Sequence, residues 1–135
     1  MSNKGYRGPE FKIHPTVKNN LRQILEGNGK LIVEVSQDIG KETSGRQGVS
    51  SSQVRKIFGD LKRRQYKKFN LDKIQLIRPK LAYTFARHAK RQRGLDLLLG
   101  TIDFLLEKVE NKENFENVVN LFEAIIAYHK KFGGK

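Results

Sequence analysis

The sequence predicts an all-α protein, a helical bundle of about five to six helices. After residue 50, apolar residues recur in four successive segments with the 3.6-residue period of an amphipathic helix. No two segments alternate apolar and polar residues as paired strands do. The stretch from Leu31 to Ile39 fits both patterns, and because a lone strand would have no partner, we predict a helix there.

Length and composition narrow the class of protein. The chain has 135 residues, which fits one domain, and it contains no cysteine. A disulfide framework, a thiolate zinc site and an iron–sulfur cluster are therefore excluded. No apolar run approaches the roughly 20 residues that span a bilayer, and residues 1–5 carry no hydrophobic signal segment. We expect a soluble, cytoplasmic protein.

The first part of the chain is the less regular one. Residues 1–14 show no periodicity and predict a flexible amino-terminal arm, which leaves residues 15–135 as a single helical domain. Pro15 opens a short helix that ends near Gly27. Residues 40–52 are rich in glycine and serine and predict a flexible loop.

Two amphipathic helices follow this loop. Ser50 and Gln53 have the spacing of a capping box, at the start of a helix that runs to about Lys68. The second helix begins near Asp72. Pro79 should kink or restart it, because proline lacks a backbone donor and clashes with the preceding turn.

Two further helices complete the bundle. Their apolar stripes run from Leu95 to Val109 and from Phe115 to Ile126. The short connection between them favours antiparallel packing. The stretch from Phe122 to Tyr128 is apolar almost all round, which predicts a core segment whose edges supply a subunit contact.

Basic residues are concentrated in one part of the chain. The formal net charge is +13, from 27 Lys and Arg against 14 Asp and Glu. Residues 51–93 carry 14 Lys and Arg and two acids, whereas residues 94–135 carry five Lys and seven acids. Repulsion of that density destabilises a fold unless a ligand uses the charge, so a polyanionic partner is favoured over a merely solvated face.

The charges also follow the predicted helices. In the helix from Asp72, basic residues recur at intervals of seven, seven and four, which places them on one side. Two such neighbouring faces would form a positive track roughly 20–25 Å long, suited to a phosphate backbone. The track comprises Lys73, Lys80, Arg87 and Arg91 on that helix, and Arg55, Lys62 and Arg63 on the preceding one, with Lys56, Arg64, Lys67 and Lys68 beside them.

Other candidate functional side chains are few. Tyr66 and Tyr83 lie near the track, where a partly buried packing role is favoured over stacking on a base. The three histidines are scattered, and His88 is interpreted as a surface residue rather than a catalytic acid or base. No phosphate-binding loop or zinc-protease motif is present. We predict no enzymatic activity, no cofactor and no metal.

Three motifs carry a family resemblance. They are SSQVRKIF at residues 51–58, RPKLAY at residues 78–83 with Arg87, and FEAIIAYHK at residues 122–130. In this order and spacing they resemble the small helical subunit of the type III-A CRISPR effector, the Csm complex, over roughly residues 45–132.

The resemblance implies a function in antiviral defence. It implies an all-α subunit without its own catalysis, present in several copies inside a ribonucleoprotein, where these subunits stack into a filament and help to hold guide RNA and target RNA. The positions that fall on the family motifs and could contact RNA are Arg55, Lys56, Arg78, Lys80 and Arg87. The charge pattern of the track, not the family, adds Lys62, Arg63 and Arg91 to the predicted RNA-binding residues.

The expected partners are therefore RNA, other subunits of the effector and further copies of this chain, with no membrane. Opposite charge on consecutive blocks favours head-to-tail contacts. Residues 40–52 would serve as a hinge for exchanging helices in a homodimer of the isolated protein. Two other functions stay open at this point: a free-standing nucleic-acid-binding protein, either ribosome-associated or a helix-turn-helix regulator, and a small ribonuclease centred on His88.

Overall fold

The computed structural model describes residues 10–134, which form eight helices and no strand. The predicted all-α class is confirmed. Five of the helices have at least twelve residues, and three have only five. In chain order they are α1 Pro15–Asn19, α2 Leu21–Leu25, α3 Gly29–Thr43, α4 Ser51–Gln65, α5 Leu71–Gln75, α6 Ile77–His88, α7 Leu95–Lys108 and α8 Lys112–Lys131.

Helix α8 is the centre of the bundle. It packs against α2, α3, α4 and α7, and its most extensive contact is with α3. Phe122 and Ile125 are fully buried in the core, as predicted for the stretch in which they lie. Glu123 and Ala127, by contrast, are exposed, because they lie on the side of α8 away from these partners.

The ambiguous stretch from Leu31 to Ile39 is helical, as predicted. It belongs to α3, whose first turn is capped by Asn28: the side-chain oxygen accepts from the Leu31 amide at 3.1 Å. Val35 and Ile39 are fully buried. Val33, which an alternating strand would place on the same face as Val35, is instead 42% exposed.

Proline has the predicted effect on the second basic helix. The helix is interrupted at Leu76 and continues as α6, with Pro79 at its third position. The missing donor costs nothing there, because the first four amides of a helix have no intrahelical partner. A similar break at Asn20 separates α1 from α2, and these two breaks raise the number of helices above the five or six predicted.

The predicted flexible loop over residues 40–52 is wrong in extent. Helix α3 continues to Thr43 and α4 begins at Ser51, whose preceding residue Ser50 caps it by accepting from the Gln53 amide at 3.1 Å. Only residues 44–50 lie between the two helices. Glycine and serine at the two ends of the predicted loop did not indicate flexibility there, because Gly40 is buried against α8 and Ser50 is a helix cap.

The short connection is also held by hydrogen bonds. The Arg93 amide donates to the Gln47 carbonyl at 2.8 Å, and its guanidinium donates to the carbonyls of Glu42 and Ser44. On the other side, the buried His129 ring donates from Nε2 to the Val49 carbonyl at 2.7 Å. The connection is therefore attached to two separate elements, which removes the basis for a hinge over residues 40–52.

The predicted arm over residues 1–14 is wrong at its carboxyl end, and residues 1–9 lie outside the described residues. Phe11 packs edge-on against Phe85, with ring centroids 4.6 Å apart. His14 is 6% exposed, and its amide donates to Thr101 Oγ1 at 3.0 Å. The Lys12 amide donates to the Asp96 carbonyl at 3.1 Å. Residues 11–14 thus pack on α6 and α7.

None of the helices within residues 10–134 has the length and apolarity needed to cross a bilayer.

Substituting Gly100 by alanine should release this packed segment. A Cβ at Gly100 would lie within 2.6 Å of the Lys12 amide nitrogen, so the backbone of residues 10–14 would have to move. Hydrogen exchange measured by mass spectrometry should show faster exchange of the Lys12 amide in Gly100→Ala. Gly29→Ala is the control, because a Cβ at that position would contact no other part of the fold. Unchanged protection in Gly100→Ala would contradict the described packing.

Candidate nucleic-acid interface

Helices α4 and α6 lie side by side, and a groove runs between them. Gln53 and Lys56, near the start of α4, face Arg87 near the end of α6. Lys67, just past the end of α4, faces Leu76 at the start of α6. The two helices are therefore antiparallel.

The groove is strongly cationic along its whole length. Two adjoining cavities of about 390 Å³ and 270 Å³ make it up, and both are lined by Asp60 and Lys80, so they form one continuous surface. We call this surface the cationic groove. The basic side chains that line it are Lys56, Arg63, Arg64 and Lys67 from α4 and its carboxyl end, and Lys73, Lys80 and Arg87 from α5 and α6.

Helical periodicity explains why these side chains converge. On α4 and just past its end, Arg63 follows Lys56 by two turns and Lys67 follows Arg63 by one turn, so these residues share a side with the adjacent Arg64. Ile57 and Leu61 are buried beneath them. On α6, Ile77 and Leu81 have the same role beneath Lys80. All four apolar side chains belong to one hydrophobic core, which holds the two basic helices next to each other.

Asp60 supplies the one carboxylate among the described residues that line the groove. It forms an ion pair with Arg63, one turn further along α4. This contact offsets one positive charge and orients one guanidinium. The groove therefore keeps a large excess of positive charge.

Four of the eight predicted RNA-binding residues come together in the groove. They are Lys56, Arg63, Lys80 and Arg87. The sequence prediction omitted three further residues of the groove from that set, namely Arg64, Lys67 and Lys73. Their spacing relative to the other basic residues indicated that they could belong to the binding surface. Selecting the residues that do line it requires knowing which sides of α4 and α6 face each other.

Two predicted residues lie on the opposite flank of α4. Arg55 borders a small cleft with Ile126 and Lys130 of α8. The Lys62 ammonium lies 5.8 Å from the ring centroid of Phe58, a side chain that packs on α8. The structure thus separates Arg55 and Lys62 from the cationic groove.

Arg78 is engaged within the protein. Its Nε donates to Asp103 Oδ1 on α7 at 2.8 Å, and both side chains are partly buried. This hydrogen bond is the main reason why the pKa of Arg78 is raised above its ordinary value. Burial lowers the pKa, and the negative charges of Asp103 and Glu107 raise it further. Arg91, the eighth predicted residue, is exposed and lies beyond the end of α6.

Both tyrosines near the predicted track are exposed, so the predicted partial burial is wrong. Tyr66 is 79% exposed and Tyr83 is 63% exposed. Tyr83 lines the cationic groove. Tyr66 is on the other flank of α4, where the Lys62 ammonium lies 5.4 Å from its ring centroid.

Within the part of the chain that the structure describes, no three His, Asp or Glu side chains are grouped so that they could hold a metal ion.

Replacing Arg78 should lower stability, whereas replacing Lys80 should not. In Arg78→Ala the partly buried Asp103 carboxylate loses its charged partner, which should cost about 1–3 kcal/mol of unfolding free energy. Lys80 is exposed beside like charges, so Lys80→Ala should change stability by less than about 0.5 kcal/mol. Urea denaturation followed by circular dichroism measures both. Equal stabilities of the two variants would contradict the structural role of Arg78.

Comparison with known proteins identifies a family. The family model described as Csm2 Type III-A matches residues 26–135, which include all of α3 to α8 and both sides of the cationic groove. No curated protein and no solved structure compared with the chain matches it. The family match covers well over half of the chain. The chain therefore belongs to the Csm2 Type III-A family, the small subunit of the type III-A CRISPR Csm complex.

Proposed function

We propose that this chain is a non-catalytic subunit that contacts the backbone of guide or target RNA through the cationic groove. One observation carries the proposal: seven basic side chains and one carboxylate from α4 and its carboxyl end, α5 and α6 line a single groove. An RNA strand presents a regular series of phosphates to such a surface, and family membership supplies an RNA-guided complex as the setting.

The length of the groove fits several nucleotides. Helix α4 has 15 residues, and at 1.5 Å per residue it is about 22 Å long. That length allows contact with several consecutive phosphates of one strand. Arginine can contact phosphate through two parallel hydrogen bonds and lysine through a point charge, so both residue types are suited to this role.

The side chains of the groove support binding rather than chemistry. Besides the basic residues, its acid–base candidates are Asp60 and His88. A ribonuclease would need two acid–base groups free to act on one phosphate. Asp60 is already paired with Arg63, which leaves His88 without a second free group in the groove as the structure describes it.

Replacing three basic residues of the groove should weaken RNA binding and reduce its salt dependence. In Lys56→Ala/Lys80→Ala/Arg87→Ala, three phosphate contacts are lost. The slope of log affinity against log salt should become shallower by about 2, at about 0.7 per contact on a single strand. Fluorescence anisotropy with a labelled single-stranded RNA measures this, and all sequences should be affected alike.

The matched control removes the same charge from the α8-facing flank of α4 and from α8 itself. Arg55→Ala/Lys62→Ala/Lys130→Ala should retain a slope close to that of the parent protein, because these residues lie on the α8 side. If the two triple variants behave alike, net charge and not the groove governs binding. RNA cleavage that His88→Ala abolishes would favour the ribonuclease instead.

We also propose that copies of this chain associate with one another, both in the complex and alone. The carboxyl-terminal block of the sequence is acidic overall and the central block basic, so head-to-tail contacts pair opposite charges.

Self-association should therefore depend on salt. Multi-angle light scattering at low salt should give an average mass above that of the 15.6 kDa monomer, and this mass should fall as salt rises. Assembly with the other effector subunits should incorporate several copies. A monomeric mass at every concentration in low salt, or a complex with a single copy, would contradict this proposal.

A further inference from the structure

The two halves of the cationic groove differ in chemistry. The half around Lys67 offers basic side chains together with Leu76 and Ile77 and the shared Asp60. The other half, which we call the Tyr83 half, adds the ring of Tyr83 and the neutral polar side chains of Gln53 and Thr84. Phosphate contacts account for the basic side chains of both halves, but they do not account for the ring of Tyr83 and the neutral polar groups beside it.

Tyr83 is held in place while its ring stays accessible. Arg87 Nη1 donates to the Tyr83 hydroxyl at 3.2 Å, and the guanidinium carbon lies 5.8 Å from the ring centroid. The side chain is nevertheless 63% exposed. An oriented aromatic ring that contacts a cation and remains open on a basic surface is the arrangement on which an unpaired base can stack.

We infer that the Tyr83 half binds an unpaired nucleobase of single-stranded RNA, stacked on the ring of Tyr83. The phosphates on either side of that nucleotide lie toward Lys80 and Arg87. Gln53 and Thr84 offer hydrogen-bonding groups to the edge of the base. The inference rests on the proposed function and adds to it the form of RNA that is bound: a strand unpaired at this position.

Stacking on Tyr83 discriminates between forms of RNA rather than between sequences. Every base has an aromatic face, so the contact tolerates any sequence. The faces of bases inside a duplex are already stacked on their neighbours and are not available to the ring. The protein should therefore prefer a single strand to a duplex of equal length at equal salt.

The test compares Tyr83→Leu with the matched control Tyr66→Leu. Tyr66 is even more exposed but lies outside the groove, so both variants lose one surface ring and should fold normally, which circular dichroism checks. Anisotropy with the full chain measures binding to three probes: a short labelled single strand, the same strand in a duplex, and the strand with abasic sugars in place of its nucleosides.

Tyr83→Leu should weaken binding of the single strand by about fivefold or more, corresponding to the lower end of base–aromatic stacking energies. It should leave duplex and abasic binding unchanged. Tyr83→Phe, which keeps the ring, should stay close to the parent protein, and Tyr66→Leu should bind all three probes as the parent does.

Two kinds of result separate failure of this inference from failure of the proposed function. If Tyr83→Leu weakens binding of all three probes equally, Tyr83 serves only to position Arg87, and the inference is overturned while the cationic groove stands. The inference is also overturned if Tyr83→Leu has no effect on the single strand. If the parent protein binds none of the probes at low salt, the proposed function itself is overturned.

Discussion

The structure has to overcome electrostatic repulsion between its two neighbouring basic helices, and its other interactions depend on how it does so. Helices α4 and α6 are both basic and would separate if charge alone acted on them. They lie side by side because Ile57 and Leu61 on one helix, and Ile77 and Leu81 on the other, are buried in the same hydrophobic core. Burial of each such side chain contributes about 1.5–3 kcal/mol, whereas exposed charges are screened by water and salt. The hydrophobic core thus keeps a cationic surface in place for an anionic partner.

The remaining interactions fix the position of this surface on the molecule. The ion pair between Arg78 and Asp103 connects α6 to α7, and the contact of α4 with α8 fixes the other side. Arg93 and the buried His129 hold the connection before α4. Basic residues of this chain therefore have two kinds of role. Some, such as Arg78 and Arg93, bind carboxylate or carbonyl oxygens of the protein itself, and others remain available in the groove.

The sequence was sufficient to predict the helices and the charge, but not the surface that these form together. Periodicity predicted α3 and the break before α6, because local spacing and a proline decide both. Periodicity also placed Arg55 and Lys62 on the same surface as Lys56, because all three lie on the outer half of α4. Only the position of α8 shows that Arg55 and Lys62 lie on the flank of α4 away from the cationic groove. For residues 40–52, the glycine and serine content predicted a flexible loop that is too long. Ser50 is a helix cap and Gly40 is closely packed against α8. Composition alone does not distinguish these two roles from flexibility.

Photo-crosslinking in the assembled complex would show whether RNA lies in the groove between α4 and α6. Guide and target RNA carrying a photoreactive thiouridine would be irradiated in complexes that contain the full chain, and the crosslinked residues identified by mass spectrometry. Binding in the groove predicts crosslinks within residues 53–67 and 73–88, on the sides of the helices that line it. Crosslinks confined to the α8-facing flank around Arg55 and Lys130, or to helices other than α4, α5 and α6, would contradict it.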